Sequence, residues 1–223
     1  MAKAANSPHG DLSTVRIGVV GHGVVGSAFT ALVARQRDVI AARTGVSLDV
    51  VRIAVSDAGK HPSRVGSADV VTDAMAVATA NDVDLVVEVM GGTTLAGEVI
   101  RAALEGGKPV VTANKALLAA RSAEFFKIAD ERGIDLLFEA AVCGGIPLIR
   151  PLRESLRGEP IRRVLGIVNG TTNFILTKMT EDGLDYASAL RGAQQLGYAE
   201  ADPTADVEGL DAAAKIAIVA NFA

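Results

Sequence analysis

The sequence predicts an α/β protein: a doubly wound parallel sheet wrapped by helices, followed by the start of a second, α+β region. Three observations predict it. Gly21, Gly23 and Gly26 form a spaced glycine turn between a short apolar run and an amphipathic one, close to the start of the chain. Apolar runs then alternate with helix-period runs as far as Glu139, the pattern of strands joined by crossover helices. Aromatics make up only 4% of the 223 residues and there is no Trp, so Ala, Val, Leu and Ile must fill the core, which suits helices packed on a parallel sheet.

Residues 1–13 are small and polar and read as a loose tail; they lack the apolar stretch of a secretory signal. Residues 15–20 read as the first strand. The turn G-V-V-G-H-G-V-V-G-S over 18–27 follows, and a helix runs from Ala28 towards Gly45. The glycine spacing is G-x-G-x-x-G, found here in the strand–loop–helix setting that a dinucleotide-binding turn requires. Gly21 lets the chain turn sharply, Gly23 lets a pyrophosphate approach the backbone, and Gly26 lets the helix pack close to the strand. Free N–H groups and the positive dipole end at the helix start hold the phosphates.

Residues 48–55, L-D-V-V-R-I-A-V, read as the second strand. It ends at S-D-A-G-K, which in this fold faces the adenosine ribose. Asp57 has the chemistry to take ribose hydroxyls, as in NAD enzymes, and Lys60 to meet a 2′-phosphate, as in NADP enzymes. The cues point in different directions, a solvated turn is the bland alternative to both, and the expected cofactor is NAD(P). A short helix is expected over 72–81, a buried strand over 84–90, a helix over 95–105, a strand over 108–112, a helix over 116–132 capped by Gly133, and a strand over 134–139. These complete one Rossmann-type domain, expected over 14–148.

Pro147 and Pro151 bracket the passage into the second region, 149–223. There 162–169 reads as a strand and 172–180, 186–196 and 208–223 as helices. One strand makes no stable sheet, so the chain is expected to be cut short within its second domain. No internal repeat or low-complexity tract is present.

A net charge of −4 provides no basic footprint for nucleic acid. No apolar run reaches the ~18–20 residues of a membrane span. The single cysteine, Cys143, excludes an internal disulfide and fits a reducing, cytoplasmic location. Cys143 itself reads as an inert small apolar residue, and His9, His22 and His61 make no metal-ligand spacing.

Several residues carry chemistry. Lys115 lies just past a strand end on the expected nicotinamide side, placed to bind substrate or pass a proton; the alternative is a surface lysine in a first helical turn. Asp211 and Lys215 are four apart on one helical face. That order suits a plain salt pair, but Lys215 sits in the apolar run A-A-A-K-I-A-I-V-A, where a charge is costly and functional lysines are often found. Glu200, Asp202, Asp206 and Glu208 lie near it in sequence. Asn169-Gly170-Thr171-Thr172-Asn173 reads either as a carboxylate-binding loop or as a helix cap made by Thr171 or Thr172.

With these residues in view the chain resembles the homoserine dehydrogenases. The likeness runs from about Val15 to Ala223 on G-H-G-V-V-G at 21–26, V-V-E-V-M-G-G at 86–92, T-A-N-K-A at 112–116, N-G-T-T-N at 169–173 and G-Y-A-E-A-D-P-T-A-D-V-E-G-L-D-A-A-A-K at 197–215. The first motif is common to many dehydrogenases; the last is specific to this family. The resemblance implies NAD(P)-dependent oxidation of L-homoserine to L-aspartate 4-semialdehyde, run in reverse in the biosynthesis of threonine, methionine and isoleucine. It implies Lys215 as acid/base with Lys115 assisting. Gly170, Thr171, Glu200, Asp206 and Asp211 would bind substrate. Gly21, Gly23, Val24, Val25, Gly26, Lys60, Thr93, Lys115 and Gly197 would contact the cofactor. It also implies a sodium ion near Glu139, Val142, Gly144 and Ile146, mostly on backbone carbonyls, and a homo-oligomer for the full-length family. Family members continue past Lys215, so a cofactor-binding fragment without turnover is the alternative expectation.

Overall fold

The computed structural model describes residues 12–221. The expected tail lies outside the described residues as far as position 11, and Ser13 already belongs to a strand. β1 (Ser13–Val20) becomes fully buried over its last four residues. The glycine turn leads into α1 (Val24–Thr44), which Gly45 ends in a left-handed conformation. β2 (Val46–Ala54) pairs parallel with β1 from Ser13↔Val46 to Val20↔Ala54, with a register shift between Ile17 and Gly18.

Next come a short 3₁₀ turn (Ala58–Lys60), β3 (Arg64–Val65) and β4 (Ala68–Val71). β4 is parallel to β2, and β3 folds back antiparallel on β4 as an edge hairpin. This hairpin was not legible in the sequence, because two- and four-residue strands carry too little period to separate them from a loop. α2 (Ala74–Thr79), capped by Asp73, crosses to β5 (Leu85–Glu88) on the other side of β1. α3 (Thr94–Glu105), β6 (Val110–Thr112), α4 (Lys115–Arg132) and β7 (Leu136–Leu137) continue outward in that direction. The sheet order is β3-β4-β2-β1-β5-β6-β7. The direction of winding reverses at β1, so right-handed crossovers put α1 on one face and α2, α3 and α4 on the other.

Side-chain alternation along β1 serves the two faces. Ile17 and Val19 join Ile53, Val55, Ala68 and Val87 in a core against which Phe29 of α1 packs. Gly18 points the other way, where a Cβ would come 2.6 Å from Val77 of α2. The near-continuous apolar strands follow from burial on both faces.

The chain forms two compact units. Among the described residues, one takes 12–117 together with Arg121–Phe138, and the other takes Leu118–Ala120 and 139–221. Among its described residues the second unit contains a 3₁₀ turn (Glu139–Ala141), a π-helical turn (Pro151–Ser155) and four helices. These are α5 (Gly170–Glu181), α6 (Tyr186–Gln195), α7 (Thr204–Val207) and α8 (Leu210–Ala220). Ile175, Ala189, Ala193 and Ala199 form its core.

Three expectations are corrected here. The strand expected over 134–139 is only Leu136–Leu137, because Glu139 turns to cap the next segment. Residues 162–169 form no strand: among the described residues none pairs with them, and Leu165 and Ile167 are 85% and 73% exposed. Apolar alternation alone cannot satisfy a backbone without a ladder partner. The helix expected over 208–223 is broken at Gly209, which adopts φ +77° between α7 and α8; its last two residues lie outside the described ones. No helix among the described residues is long and apolar enough to cross a membrane.

Candidate functional site

The first unit carries a glycine loop at the point where the sheet reverses. Gly21 has φ +100°, and a Cβ there would come 2.7 Å from the Met90 backbone. At Gly26 a Cβ would run into the Gly21 carbonyl oxygen, so the helix can approach the loop only at a glycine. At Gly23 a Cβ would meet nothing within 4 Å. Two glycines are therefore required by the protein's own packing, and the third leaves open space over the loop. Val24 and Val25 sit exposed in the first turn of α1.

That loop borders a cleft of about 600 Å³, within the range of small-molecule sites. The cleft lies at the carboxyl ends of β1, β2, β4 and β5, lined among others by Gly21, Gly23, Ser56, Lys60, Met90 and Leu95. This is where open α/β sheets bind ligands. A dinucleotide fits the residues present: the open Gly23 position and the α1 N-terminus form a phosphate cradle. Lys60 thus shares the cleft with the glycines. Asp57 caps the 3₁₀ turn instead, accepting the Gly59 N–H at 2.9 Å, and lies 3.5 Å from Lys60.

A buried network that sequence reasoning missed supports the β5 and β6 ends. Glu88 is fully buried. Its Oε1 accepts N–H groups of Met90 (3.0 Å) and Gly91 (3.3 Å), and its Oε2 accepts the Thr112 hydroxyl. Thr112 Oγ1 accepts the Asn114 N–H at 3.0 Å. Asn114 donates to the Gly92 carbonyl at 2.6 Å and caps α4 through the Leu117 N–H. The network fixes the Met90–Thr93 loop and the start of α4. Thr93 precedes α3, and Lys115 is the first residue of α4, partly buried. The signal for the network was present, an acid inside the apolar run of 84–90, but only the structure shows what satisfies it.

The second unit holds the acidic cluster and its lysine. Lys215 Nζ donates to Asp211 Oδ2 at 2.7 Å and to the Val168 carbonyl at 2.6 Å. The Lys215 side chain is 18% exposed and that of Asp211 6%. Asn169 Nδ2 bridges Asp206 (2.7 Å) and Asp211 (2.9 Å), while its Oδ1 accepts the Thr172 N–H at 2.8 Å. Asn169 is therefore the cap of α5, in place of Thr171 or Thr172. The Thr171 hydroxyl donates to the Tyr198 carbonyl at 2.6 Å, tying Gly170 and Thr171 at the head of α5 to the 197–203 segment. Gly197, with φ +76°, belongs to the turn that ends α6 in this unit. Glu200 is exposed and offers its backbone carbonyl to Gln194. Asp206, Asp211 and Lys215 are thus joined, with Asn169 as the unforeseen hinge of the group.

Glu139 has a structural task. Its carboxylate accepts three successive N–H groups, of Leu148 (2.6 Å), Ile149 (2.9 Å) and Arg150 (2.8 Å). These bonds outweigh the upward push of burial, the largest single influence, and hold its pKa below the ordinary value. Between Glu139 and Leu148 the chain passes through left-handed conformations at Cys143 (φ +52°) and Gly145 (φ +82°).

A glycine loop and cleft at the switch point of a doubly wound sheet define a dinucleotide-binding α/β protein. Residues 21–139 match the family profile described as homoserine dehydrogenase, NAD binding domain, and residues 147–223 match that described as homoserine dehydrogenase. The chain belongs to the homoserine dehydrogenase family. It is 52% identical over 222 residues to the homoserine dehydrogenase of Corynebacterium glutamicum, covering 100% of this chain and 50% of that one. A homoserine dehydrogenase structure from Thiobacillus denitrificans matches with a TM-score of 0.86 at 42% identity, covering 93% of this chain and 48% of the other. A hyperthermophilic archaeal homoserine dehydrogenase in complex with NADPH matches with a TM-score of 0.80 at 31% identity, over 92% of this chain and 68% of the other. The chain spans about half the length of the curated relatives it matches.

Proposed function

We propose that this chain carries the cofactor-binding part and the lysine–carboxylate cluster of an enzyme that oxidises L-homoserine to L-aspartate 4-semialdehyde with NAD(P), and runs in reverse in threonine, methionine and isoleucine biosynthesis. The observation that supports it most is the anchoring of Lys215 by Asp211 and the Val168 carbonyl within the family-specific segment. Residues 14–148 are read as the nucleotide domain and 149–223 as the start of the substrate domain. The location is read as cytoplasmic.

The nicotinamide, when bound, supplies hydride chemistry. The chain's own residues position the substrate and move its hydroxyl proton. An ammonium has three N–H donors. Asp211 and Val168 take two on Lys215, and the third is proposed to meet the substrate oxygen. In the oxidising direction the neutral amine takes the hydroxyl proton; in the reducing direction the ammonium returns it. Lys115, at the start of α4, is proposed to assist. Glu200, Asp206 and Asp211 are proposed to hold the substrate ammonium, and the N–H groups at Gly170 and Thr171 its carboxylate. Gly21, Gly23, Val24, Val25, Gly26, Lys60, Thr93 and Gly197 are proposed cofactor contacts.

A sodium ion is compatible with the loop at Glu139, Val142, Gly144 and Ile146. The Glu139 carboxylate is already used by three N–H groups, so backbone carbonyls, hard oxygen donors suited to such an ion, would hold it.

The test is NAD(P)H formation by the purified chain with L-homoserine at alkaline pH, beside Lys215→Ala. Turnover lost in the variant supports the assignment. Cofactor binding without turnover in the parent chain favours a cofactor-binding fragment.

A further inference from the structure

His22 sits between Gly21 and Gly23 on the loop after β1, and His61 follows the turn after β2. Their rings meet edge to face with centroids 5.6 Å apart, and both line the 600 Å³ cleft beside Ser56 and Lys60. Thr30 Oγ1 lies 3.0 Å from the Ser27 carbonyl, to which it donates, and 3.1 Å from His22 Nε2, so the His22 ring is held against α1.

In a dinucleotide fold, the carboxyl end of β2 meets the adenosine ribose, where a carboxylate selects free hydroxyls and a cation selects a phosphate. Asp57 is the carboxylate at that end, and the Gly59 N–H and Lys60 hold it in the turn. The cleft wall there presents two imidazoles, a hydroxyl and an ammonium.

We infer that His22 and His61, held edge to face, form with Lys60 the subsite for a phosphomonoester on the adenosine ribose, and so set the preference for a phosphorylated over an unphosphorylated dinucleotide. The inference rests on the dinucleotide reading above and deepens it. The charged groups around the pair are Lys60 and Asp57 on the turn after β2, and Arg37 and Asp49, which lie 3.8 Å apart beside the smaller cleft that His22 also borders. Burial first, and then the charge of His61, hold His22 below its ordinary pKa. A phosphate dianion beside His22 offsets both, so its binding favours the protonated form of that imidazole. Preference for the phosphorylated cofactor therefore rises as pH falls from 8.5 to 6.5, a range in which a phosphomonoester with pKa about 6 stays mostly dianionic.

The test is fluorescence titration of the 223-residue chain with NADPH and with NADH at pH 6.5 and 8.5. The parent is compared with His22→Gln, His61→Gln and the double variant, each checked for folding by circular dichroism. NADPH is expected to gain about three- to tenfold over NADH at the lower pH. The double variant should lose about tenfold in NADPH affinity, with NADH moved less than about twofold and the pH effect flattened. His61→Gln alone, on the turn, should give part of the loss if the double variant does not fold. Equal shifts for both cofactors, or no shift, overturn the subsite. Failure of the parent chain to bind either cofactor overturns the dinucleotide reading, and this inference with it.

Discussion

Glu88 and Thr112 face each other across the last rung of the β5–β6 ladder, and the threonine hydroxyl donates a 2.6 Å hydrogen bond to the glutamate Oε2. Partners in a parallel rung point to the same side, so the pair is set by register. Glu88→Ala removes the acceptor for the Thr112 hydroxyl and for two N–H groups and should cost about 2–3 kcal/mol of stability. Glu88→Gln keeps an oxygen for the N–H groups and should cost about 1 kcal/mol. Urea unfolding measures both. NADPH titration should show weaker binding in Glu88→Ala, where the Met90–Thr93 loop loses its anchor, and little change in Glu88→Gln, where the anchor oxygen is kept.

The order of the long helices and strands of the first unit was legible, though not the β3–β4 hairpin, because each long element has its own period and punctuation: the Gly21–Gly26 turn, Gly133 after α4, the apolar run before Met90. What escaped reading depends on contacts made after folding. The Glu88–Thr112–Asn114 chain exists only once β5 and β6 are in register. The meeting of His22 with His61 requires β1 and β2 to lie side by side. In the second unit, Asp211 and Lys215 could be paired from their spacing, but Asn169 lies far from both in sequence, and capping preferences do not identify which side chain also reaches two acids. Residues 162–169 show the converse: an alternating pattern promises a strand, and pairing decides whether it forms.

The three loop glycines should separate by experiment. Gly26→Ala drives a methyl group into the Gly21 carbonyl and should lower stability by about 1–3 kcal/mol. Gly23→Ala enters open space and should leave unfolding within about 0.5 kcal/mol of the parent, while weakening dinucleotide binding by more than about tenfold through the blocked pyrophosphate approach. Thermal melts of the free chain, set beside NADPH titration, test the contrast.

Arg16 holds the Asp84 carboxylate through its Nε (2.9 Å), Nη2 (2.6 Å) and backbone N–H (2.8 Å). These bonds bring the Asp84 pKa from 3.8 down to about 2. The folded value lies below the unfolded one, so the stabilisation is present above about pH 4 and is lost as pH falls towards 2. The side chains are 41% and 38% exposed, and solvent screening limits the pair to about 1 kcal/mol. Asp84→Asn should therefore be less stable by about that much at pH 7, with the gap narrowing at pH 3, as measured by urea unfolding.

Removing one member of the Asp211–Lys215 pair strands the other in a mostly buried place. Asp211→Asn should cost about 2–4 kcal/mol. The double change Asp211→Leu with Lys215→Met should recover part of that loss, because the apolar pair carries no unpaired charge, while the Val168 carbonyl and one Asn169 N–H lose their partners. Denaturation midpoints of the parent, the singles and the double complete the cycle.

Asn169 has consequences for which sequences this fold can accept. Most helix caps are interchangeable among Ser, Thr, Asp and Asn, and a lineage can drift through all four at little cost. Position 169 is closed to three of them. Ser and Thr start α5 but have no amide to reach Asp206 and Asp211. Asp starts it too, and adds a third negative charge beside theirs. A residue that looks like an ordinary cap is thus held to one identity by two acids that lie far along the chain, and any redesign of the acidic cluster has to begin with it.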